Sequence, residues 1–113
     1  MQKITLYHNP QCSKSQKTLE ILRNEGFNPI VIEYLKTPLN LDQLNELRAH
    51  FSLNDFIRSN EKQFTELGLS LDNEAQIIKA MVKAPLLMQR PIVTYNGKAI
   101  IGRPPEKVLE LFA

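Results

Sequence analysis

An Asn-Gly dipeptide between two apolar runs is the feature that most restricts the fold of this chain. The first run covers residues 91–95 (PIVTY), the second covers residues 98–101 (KAII), and Asn96-Gly97 joins them. Asn and Gly accept the positive φ angles of a two-residue turn, so the segment predicts an antiparallel β-hairpin. Residues 102–105 (GRPP) break the second strand. A final helix with proline near its first turn should follow, with an apolar side formed by Val108, Leu109, Leu111 and Phe112.

The N-terminal part of the sequence alternates like a strand and then changes to a helical spacing. Ile4 and Leu6 alternate with Thr and Tyr, which predicts a short strand that ends in a polar loop. From Ser13 the apolar residues are spaced as in a helix, and Gly26 suits its C-terminal cap. Residues 29–34 (PIVIEY) are rich in β-branched side chains and predict a second strand. Strand, helix and strand together form a βαβ unit with parallel strands.

The middle of the sequence predicts a helical insert between the second and third strands. Asn40 is a suitable N-cap for a helix of about three turns, and Asn54 suits the start of a short helix that carries Arg58. A further helical spacing stops at Gly68, and another helix runs to Pro85. The order of elements is β, α, β, helices, β, β, α. This order predicts a mixed α/β fold, a four-stranded sheet packed by helices in the thioredoxin-like arrangement.

Composition restricts the class of protein further. The 113 residues suit a single domain over residues 1–113. The net charge of +2 is too small to indicate nucleic acid or an anionic membrane as the main partner. The sequence lacks an apolar run of the roughly 18 residues that a membrane span needs, and it lacks a secretory segment, so we expect a cytoplasmic protein. The single cysteine, Cys12, excludes an intramolecular disulfide and an all-cysteine metal site.

Cys12 stands between a polar loop and the start of the first predicted helix. Backbone N–H groups there have no partner within the helix, and the helix dipole contributes roughly half a positive charge. A thiolate gains from both, so the pKa of such a cysteine can fall from about 8.5 to between ~3.5 and ~7.5. His8 and Lys14 are near enough in sequence to add to this effect. The alternative is a small buried hydrophobe, and the residues alone leave both interpretations open.

Three arginines fall at predicted element boundaries: Arg58, Arg90 and Arg103. A guanidinium group matches a tetrahedral oxyanion with paired hydrogen bonds better than lysine does. Convergence of the three on Cys12 would form an oxyanion site. The alternative is that each arginine faces water, and spacing along the chain does not decide between the two.

Three segments together resemble the signatures of ArsC-type, glutaredoxin-coupled arsenate reductases. They are residues 7–13 (YHNPQCS), 90–93 (RPIV) and 102–104 (GRP), in the right order, and the likeness covers essentially the whole chain. Established members usually have glycine directly after the cysteine. Here Ser13 and Lys14 follow the cysteine, and the chain is similar to a short-chain subgroup often called YfgD-like.

The resemblance implies a thioredoxin-like fold with a helical insert and a specific reaction. In that reaction the Cys12 thiolate attacks arsenate and forms a sulfur–arsenic adduct. Glutathione then attacks the adduct, arsenite is released, and glutaredoxin resolves the mixed disulfide that remains. The resemblance therefore implies glutathione as a co-substrate, glutaredoxin as a partner and no bound cofactor or metal.

The resemblance also implies roles for individual residues. His8 corresponds to the histidine that helps to depress the pKa of the catalytic Cys12. Pro91 corresponds to the cis-proline of the thioredoxin fold. Substrate binding is assigned to four residues: Arg58, Arg90, Arg103 and Ser15.

Two other functions are consistent with the same loop. One is a regulatory interaction module resembling the Spx group, which binds RNA polymerase and senses redox state through a Cys-x-x-Cys pair. Ser15 stands at the second position of that pair here, which removes the internal switch. The other is a monothiol glutaredoxin-type thiol transferase that uses residues 12–15 (CSKS). The three boundary arginines argue against the transferase.

Overall fold

The computed structural model describes residues 3–113, and within them it contains four strands, five α-helices and two 3₁₀ helices. The strands are β1 (Ile4–Tyr7), β2 (Ile30–Ile32), β3 (Ile92–Tyr95) and β4 (Lys98–Ile101). The α-helices are α1 (Ser13–Asn24), α2 (Leu41–Arg48), α3 (Leu53–Phe56), α4 (Lys62–Glu66) and α5 (Glu74–Lys83). The 3₁₀ helices are Pro85–Leu87 and Pro105–Phe112. None of these helices has the length and apolar character of a membrane span.

The described residues fall into two compact units. Residues 3–34 and Arg90–Ala113 form the sheet unit, and Leu35–Gln89 form the helical unit. The single domain expected over residues 1–113 stays a prediction.

The sheet has the strand order β2-β1-β3-β4. β1 pairs parallel with β2 and antiparallel with β3, and β3 pairs antiparallel with β4. Asn96 and Gly97 join β3 to β4 with φ angles of 52° and 74°. Glycine adopts such angles freely and asparagine more easily than most residues, which suits a hairpin turn. The predicted mixed sheet, with its parallel first half and C-terminal hairpin, is confirmed.

The core of the sheet unit lies between the sheet, α1 and the C-terminal 3₁₀ helix. Its six buried apolar residues are Ile4, Leu6, Leu22, Val93, Val108 and Leu111. Burial of a large aliphatic side chain contributes about 1.5–3 kcal/mol, so this cluster holds α1 against the strands. Val108 and Leu111 are three residues apart, and this spacing places both on one side of a 3₁₀ helix. The predicted final helix is therefore present in the tighter 3₁₀ form.

In the helical unit, α2 packs against α5. Asn40 caps α2 as predicted. Its side chain accepts a hydrogen bond from the Gln43 N–H, and the Gln43 side chain accepts one from the Asn40 N–H, both at 2.9 Å. The predicted ends of two further helices are also confirmed, because α4 ends before Gly68 and α5 ends before Pro85.

The short helix near Arg58 differs from the prediction. Ser52 is its N-cap instead of Asn54, and the helix ends before Ile57. Ile57 is extended and pairs with Met88 in an isolated antiparallel bridge. The predicted helix that carries Arg58 is therefore wrong. Pairing with a distant backbone segment satisfies the polar groups here and takes the place of another helical turn.

Candidate active site

Cys12 is the N-cap residue of α1, at the end of the loop that follows β1. Its backbone is extended, with φ −96° and ψ 122°. Its N–H donates to the Asn9 carbonyl at 3.0 Å, and its own carbonyl accepts from the Gln16 N–H at 3.0 Å. The thiol is half-buried. This is the helix start predicted from the sequence, and it differs from the fully buried position of a core cysteine.

Several groups act on the pKa of the Cys12 thiol. Burial raises this pKa, because it disfavours the charged sulfur. The backbone N–H groups of Ser15 and Lys14 donate to the sulfur, and Arg90 contributes its charge and a side-chain hydrogen bond. Together these contacts outweigh burial and hold the pKa of the thiol below its ordinary value. The thiolate, which is the nucleophilic form, is therefore a larger fraction of Cys12 at any given pH than it is of an unperturbed cysteine.

A buried hydrogen-bond network lies next to this thiol. The Ser15 Oγ is 2.6 Å from His8 Nδ1 and accepts from the Asn9 N–H at 3.0 Å. Ser15 is fully buried, and His8 is 6% exposed. Burial lowers the pKa of His8, while the charge of Glu33 raises it and that of Arg23 lowers it further. The net shift is downward, so the imidazole is neutral at neutral pH.

The neutral state of the His8 imidazole determines the direction of its hydrogen bond with Ser15. Because Ser15 Oγ already accepts from Asn9, its own proton is available to an unprotonated His8 Nδ1. The hydroxyl is thereby occupied inside the protein, and the backbone N–H of Ser15 faces the Cys12 sulfur. The hydrogen-bond route from His8 to the thiol thus passes through Ser15.

Arg90 and Arg103 lie together in the sheet unit. Arg103 Nε donates to the Arg90 carbonyl at 2.8 Å, and the Arg90 guanidinium hydrogen-bonds to Cys12. Arg90 thus contacts the thiol directly, and Arg103 is bonded to the backbone of Arg90. The Arg90-Pro91 peptide is cis, as the resemblance implied, and Arg103-Pro104 is also cis, which the sequence analysis did not predict.

Arg58 belongs to the helical unit. Its guanidinium forms an ion pair with Glu61 at 3.2 Å and donates to the Leu86 carbonyl at 3.1 Å. The side chain is only 17% exposed. The structure therefore provides Arg58 with partners inside its own unit, and its part in an oxyanion site stays a prediction.

Asn9 also belongs to the site, although it was not among the residues predicted from the sequence. Its N–H donates to Ser15, its carbonyl accepts from Cys12, and its side-chain oxygen accepts from the Gln11 N–H at 3.0 Å. An asparagine directly before a proline favours such a turn, because its side chain can bond to the backbone two residues on. That signal was available in the Asn9-Pro10 dipeptide.

The site can ionise a thiol and stabilise negative charge beside it. The first-turn N–H groups of α1 and the Arg90 guanidinium all face the sulfur, so a tetrahedral oxyanion seated against it would meet the same donors. Within residues 3–113, no group of three or more His, Cys, Asp or Glu side chains is arranged to hold a metal ion.

Known proteins are similar to this chain in sequence and in fold. A model of the ArsC family matches residues 7–111. YfgD of Escherichia coli K12 is 47% identical over 114 residues, which cover 96% of this chain and 95% of that protein. An arsenate reductase of Escherichia coli is 42% identical over 115 residues, covering 98% of this chain and 82% of that protein. The solved structure of an arsenate reductase from Vibrio cholerae superposes with a TM-score of 0.89 and 41% identity, covering 96% of each chain.

Proposed function

The chain belongs to the ArsC family, and from this membership we propose that it is an oxidoreductase that reduces arsenate, or a related oxyanion, with Cys12 as the nucleophile. The observation that carries the proposal is the state of this thiol. It is half-buried at the start of α1, it is contacted by Arg90 and two backbone N–H groups, and its pKa is lowered. The arsenate reductases among the relatives support the choice of substrate.

In the first step the Cys12 thiolate forms a bond to arsenic. One arsenate oxygen takes up protons and leaves as water, and arsenic stays As(V) in the adduct. The remaining oxygens carry the negative charge. Arg90 and the N–H groups of α1 already face the sulfur, so they are positioned to stabilise this charge without rearranging.

In the second step a glutathione thiolate attacks the adduct. A sulfur–sulfur bond to Cys12 forms, the sulfur–arsenic bond breaks, and its electron pair reduces As(V) to As(III), which leaves as arsenite. Glutaredoxin then removes glutathione from Cys12 by thiol–disulfide exchange and restores the thiol. One cysteine suffices because glutathione supplies the second sulfur, and the scheme requires a reducing compartment such as the cytoplasm.

The other predicted residues support this reaction in different ways. Arg103 contributes a second guanidinium next to Arg90. The assignment of Arg58 to oxyanion binding rests on the family resemblance alone. We assign the contribution of Ser15 to its backbone N–H, since the hydroxyl is bonded to His8. His8 supports the loop as a neutral group.

The test is arsenite production from arsenate with glutathione and glutaredoxin, wild type beside Cys12→Ser. A serine hydroxyl stays protonated at neutral pH, so we expect the variant to fold and to lose turnover. A variant that reduces arsenate at the wild-type rate would refute the proposal. A parallel reaction without glutaredoxin tests the coupling, and undiminished multiple turnover there would remove glutaredoxin from the scheme.

The second candidate is a glutathione-dependent thiol transferase. The single low-pKa thiol favours it, because such a sulfur attacks a glutathione mixed disulfide without help from an oxyanion site. Reduction of such a disulfide together with failure to reduce arsenate would reverse the order of the two candidates. The regulatory alternative has less support, since Ser15 at the position of the second switch cysteine is fully buried and bonded to His8.

A further inference from the structure

Gly102 lies just after β4 at a point of very close packing. A Cβ atom built on it would lie 2.7 Å from Thr18 Oγ1, 2.9 Å from Pro91 Cγ and 3.2 Å from Val108 Cγ1. Real Cβ atoms essentially never come within 3.0 Å of such neighbours. Gly102 is not among the positive-φ glycines of residues 3–113, so the need for glycine here is a matter of space.

The two closest neighbours of Gly102 belong to the two segments that hold the Cys12 sulfur. Thr18 is a fully buried residue of α1, and its hydroxyl donates to the carbonyl of Lys14 at 2.8 Å. The N–H of Lys14 is one of the donors to the sulfur. Pro91 directly follows Arg90, whose guanidinium is the side-chain donor to the sulfur.

The residues at the end of β4 are also fastened to the Arg90-Pro91 segment. The Gly102 N–H donates to the Pro91 carbonyl at 2.9 Å. Arg103 Nε donates to the Arg90 carbonyl at 2.8 Å. The Gly102-Arg103 segment therefore bonds to the backbone that carries Arg90 and, at the same time, rests against α1.

We propose that Gly102 is a positioning residue for the Cys12 thiolate: the space left by its missing side chain sets the distance between α1 and the segment that carries Arg90. A side chain at this position pushes Thr18 and Pro91 apart. Because Arg90 and the first turn of α1 reach the sulfur from these two sides, their hydrogen bonds to it lengthen together. The inference rests on the proposed function, since it concerns the same thiol.

The experiment measures the pKa of the Cys12 thiol from the pH dependence of its alkylation by iodoacetamide, which needs no arsenate. We expect Gly102→Ala to raise this pKa by about one unit, which corresponds to a roughly ten-fold smaller thiolate fraction below the pKa. In Thr18→Ala/Gly102→Ala the closest clashing atom is absent, and part of the shift should be recovered.

Val108→Ala is the matched control. It weakens packing at the same place without crowding Thr18 or Pro91, so we expect lower stability and an unchanged thiol pKa. Arg103→Lys tests the other contact. It keeps the positive charge and loses the Nε–H that bonds to the Arg90 carbonyl, so the thiol pKa should rise here as well.

The outcomes separate the inference from the proposed function. Two results overturn the inference and leave the proposed function standing, provided that the wild-type thiol pKa is lowered. One is a thiol pKa in Gly102→Ala equal to that of the wild type. The other is a rise in Val108→Ala as large as the rise in Gly102→Ala. If Gly102→Ala does not fold, an unchanged pKa in Arg103→Lys overturns it. An ordinary thiol pKa in the wild type overturns both, because there is then no stabilised thiolate to position.

Discussion

The helices α1 and α2 begin in opposite ways. α2 starts at Asn40, which exchanges two hydrogen bonds with Gln43, so its first backbone N–H groups are satisfied by the helix itself. α1 starts at Cys12, a residue without a side-chain oxygen, and N–H groups of its first turn point at the sulfur. The first turn of α2 is capped by its own side chains, whereas the N–H groups in the first turn of α1 are available to a negatively charged group.

The start of α1 lacks the stabilising side-chain cap that α2 has. A side-chain N-cap contributes typically about 1 kcal/mol to stability, and α2 gains this contribution. At α1 the same donors stabilise a thiolate, so their effect is expressed as a lower thiol pKa. Variants that disturb α1 should therefore change reactivity, and those that disturb α2 should change stability only.

Replacement of Arg90 should give the largest effect. A hydrogen bond to a charged group contributes about 1.5–3 kcal/mol, and each 1.4 kcal/mol is tenfold. We therefore expect Arg90→Ala to lower kcat/KM for arsenate by about 10- to 100-fold and to raise the thiol pKa. Arg48→Ala removes a matched arginine from the helical unit, where it pairs with Glu74 at 2.8 Å. Equal losses in the two variants would contradict the role given to Arg90.

Ser15→Ala should have the next largest effect, on stability. It leaves the His8 ring nitrogen and the Asn9 N–H without the hydroxyl that bonds to both, and orphaned buried groups cost about 1–3 kcal/mol. The free energy of unfolding from urea titration measures this loss. Ser13→Ala changes an exposed residue of the same helical turn and should stay within about 0.5 kcal/mol of the wild type. A wild-type stability in Ser15→Ala would mean that the network does not support the loop.

Asn40→Ala tests whether removing the cap of α2 changes stability without changing the Cys12 thiol. The variant loses the side-chain oxygen that accepts from the Gln43 N–H, which should lower the free energy of unfolding by about 1 kcal/mol. The thiol pKa of Cys12 should not change. A shifted thiol pKa in this variant would show that the two helix starts are not separate in their effects.

The smallest effect is the dependence of stability on pH. The pKa of Cys12 is lower in the folded chain, so its contribution to stability is complete above the unfolded pKa of about 8.5 and is lost as pH falls through the folded pKa. The pKa of His8 is also lowered, which adds a loss of stability below about pH 6.5. In Cys12→Ser the free energy of unfolding should no longer depend on pH between about 6.5 and 8.5, because the thiol contribution is absent. An identical profile in that variant would exclude a stabilised thiolate.

Local signals were enough to predict much of this molecule. The hairpin at Asn96-Gly97 and the cap at Asn40 each depend on residues within one turn, and both are confirmed. The position of Cys12 at the start of α1 also followed from its neighbours in sequence.

Long-range contacts explain what the sequence analysis missed. The backbone near Arg58 leaves the helix because Ile57 pairs with a residue far along the chain. The bond from Arg103 to the Arg90 carbonyl joins the two ends of a hairpin. The need for glycine at position 102 arises from Thr18 on another element, a requirement of space that no turn signal encodes.

The most direct test of the account is the reactivity of the Cys12 thiol in the intact protein. Its alkylation rate should be followed against pH, with and without arsenate. We expect a pKa below that of a free cysteine and slower alkylation when arsenate occupies the donors around the sulfur. A thiol that titrates like free cysteine and that arsenate leaves unprotected would contradict it.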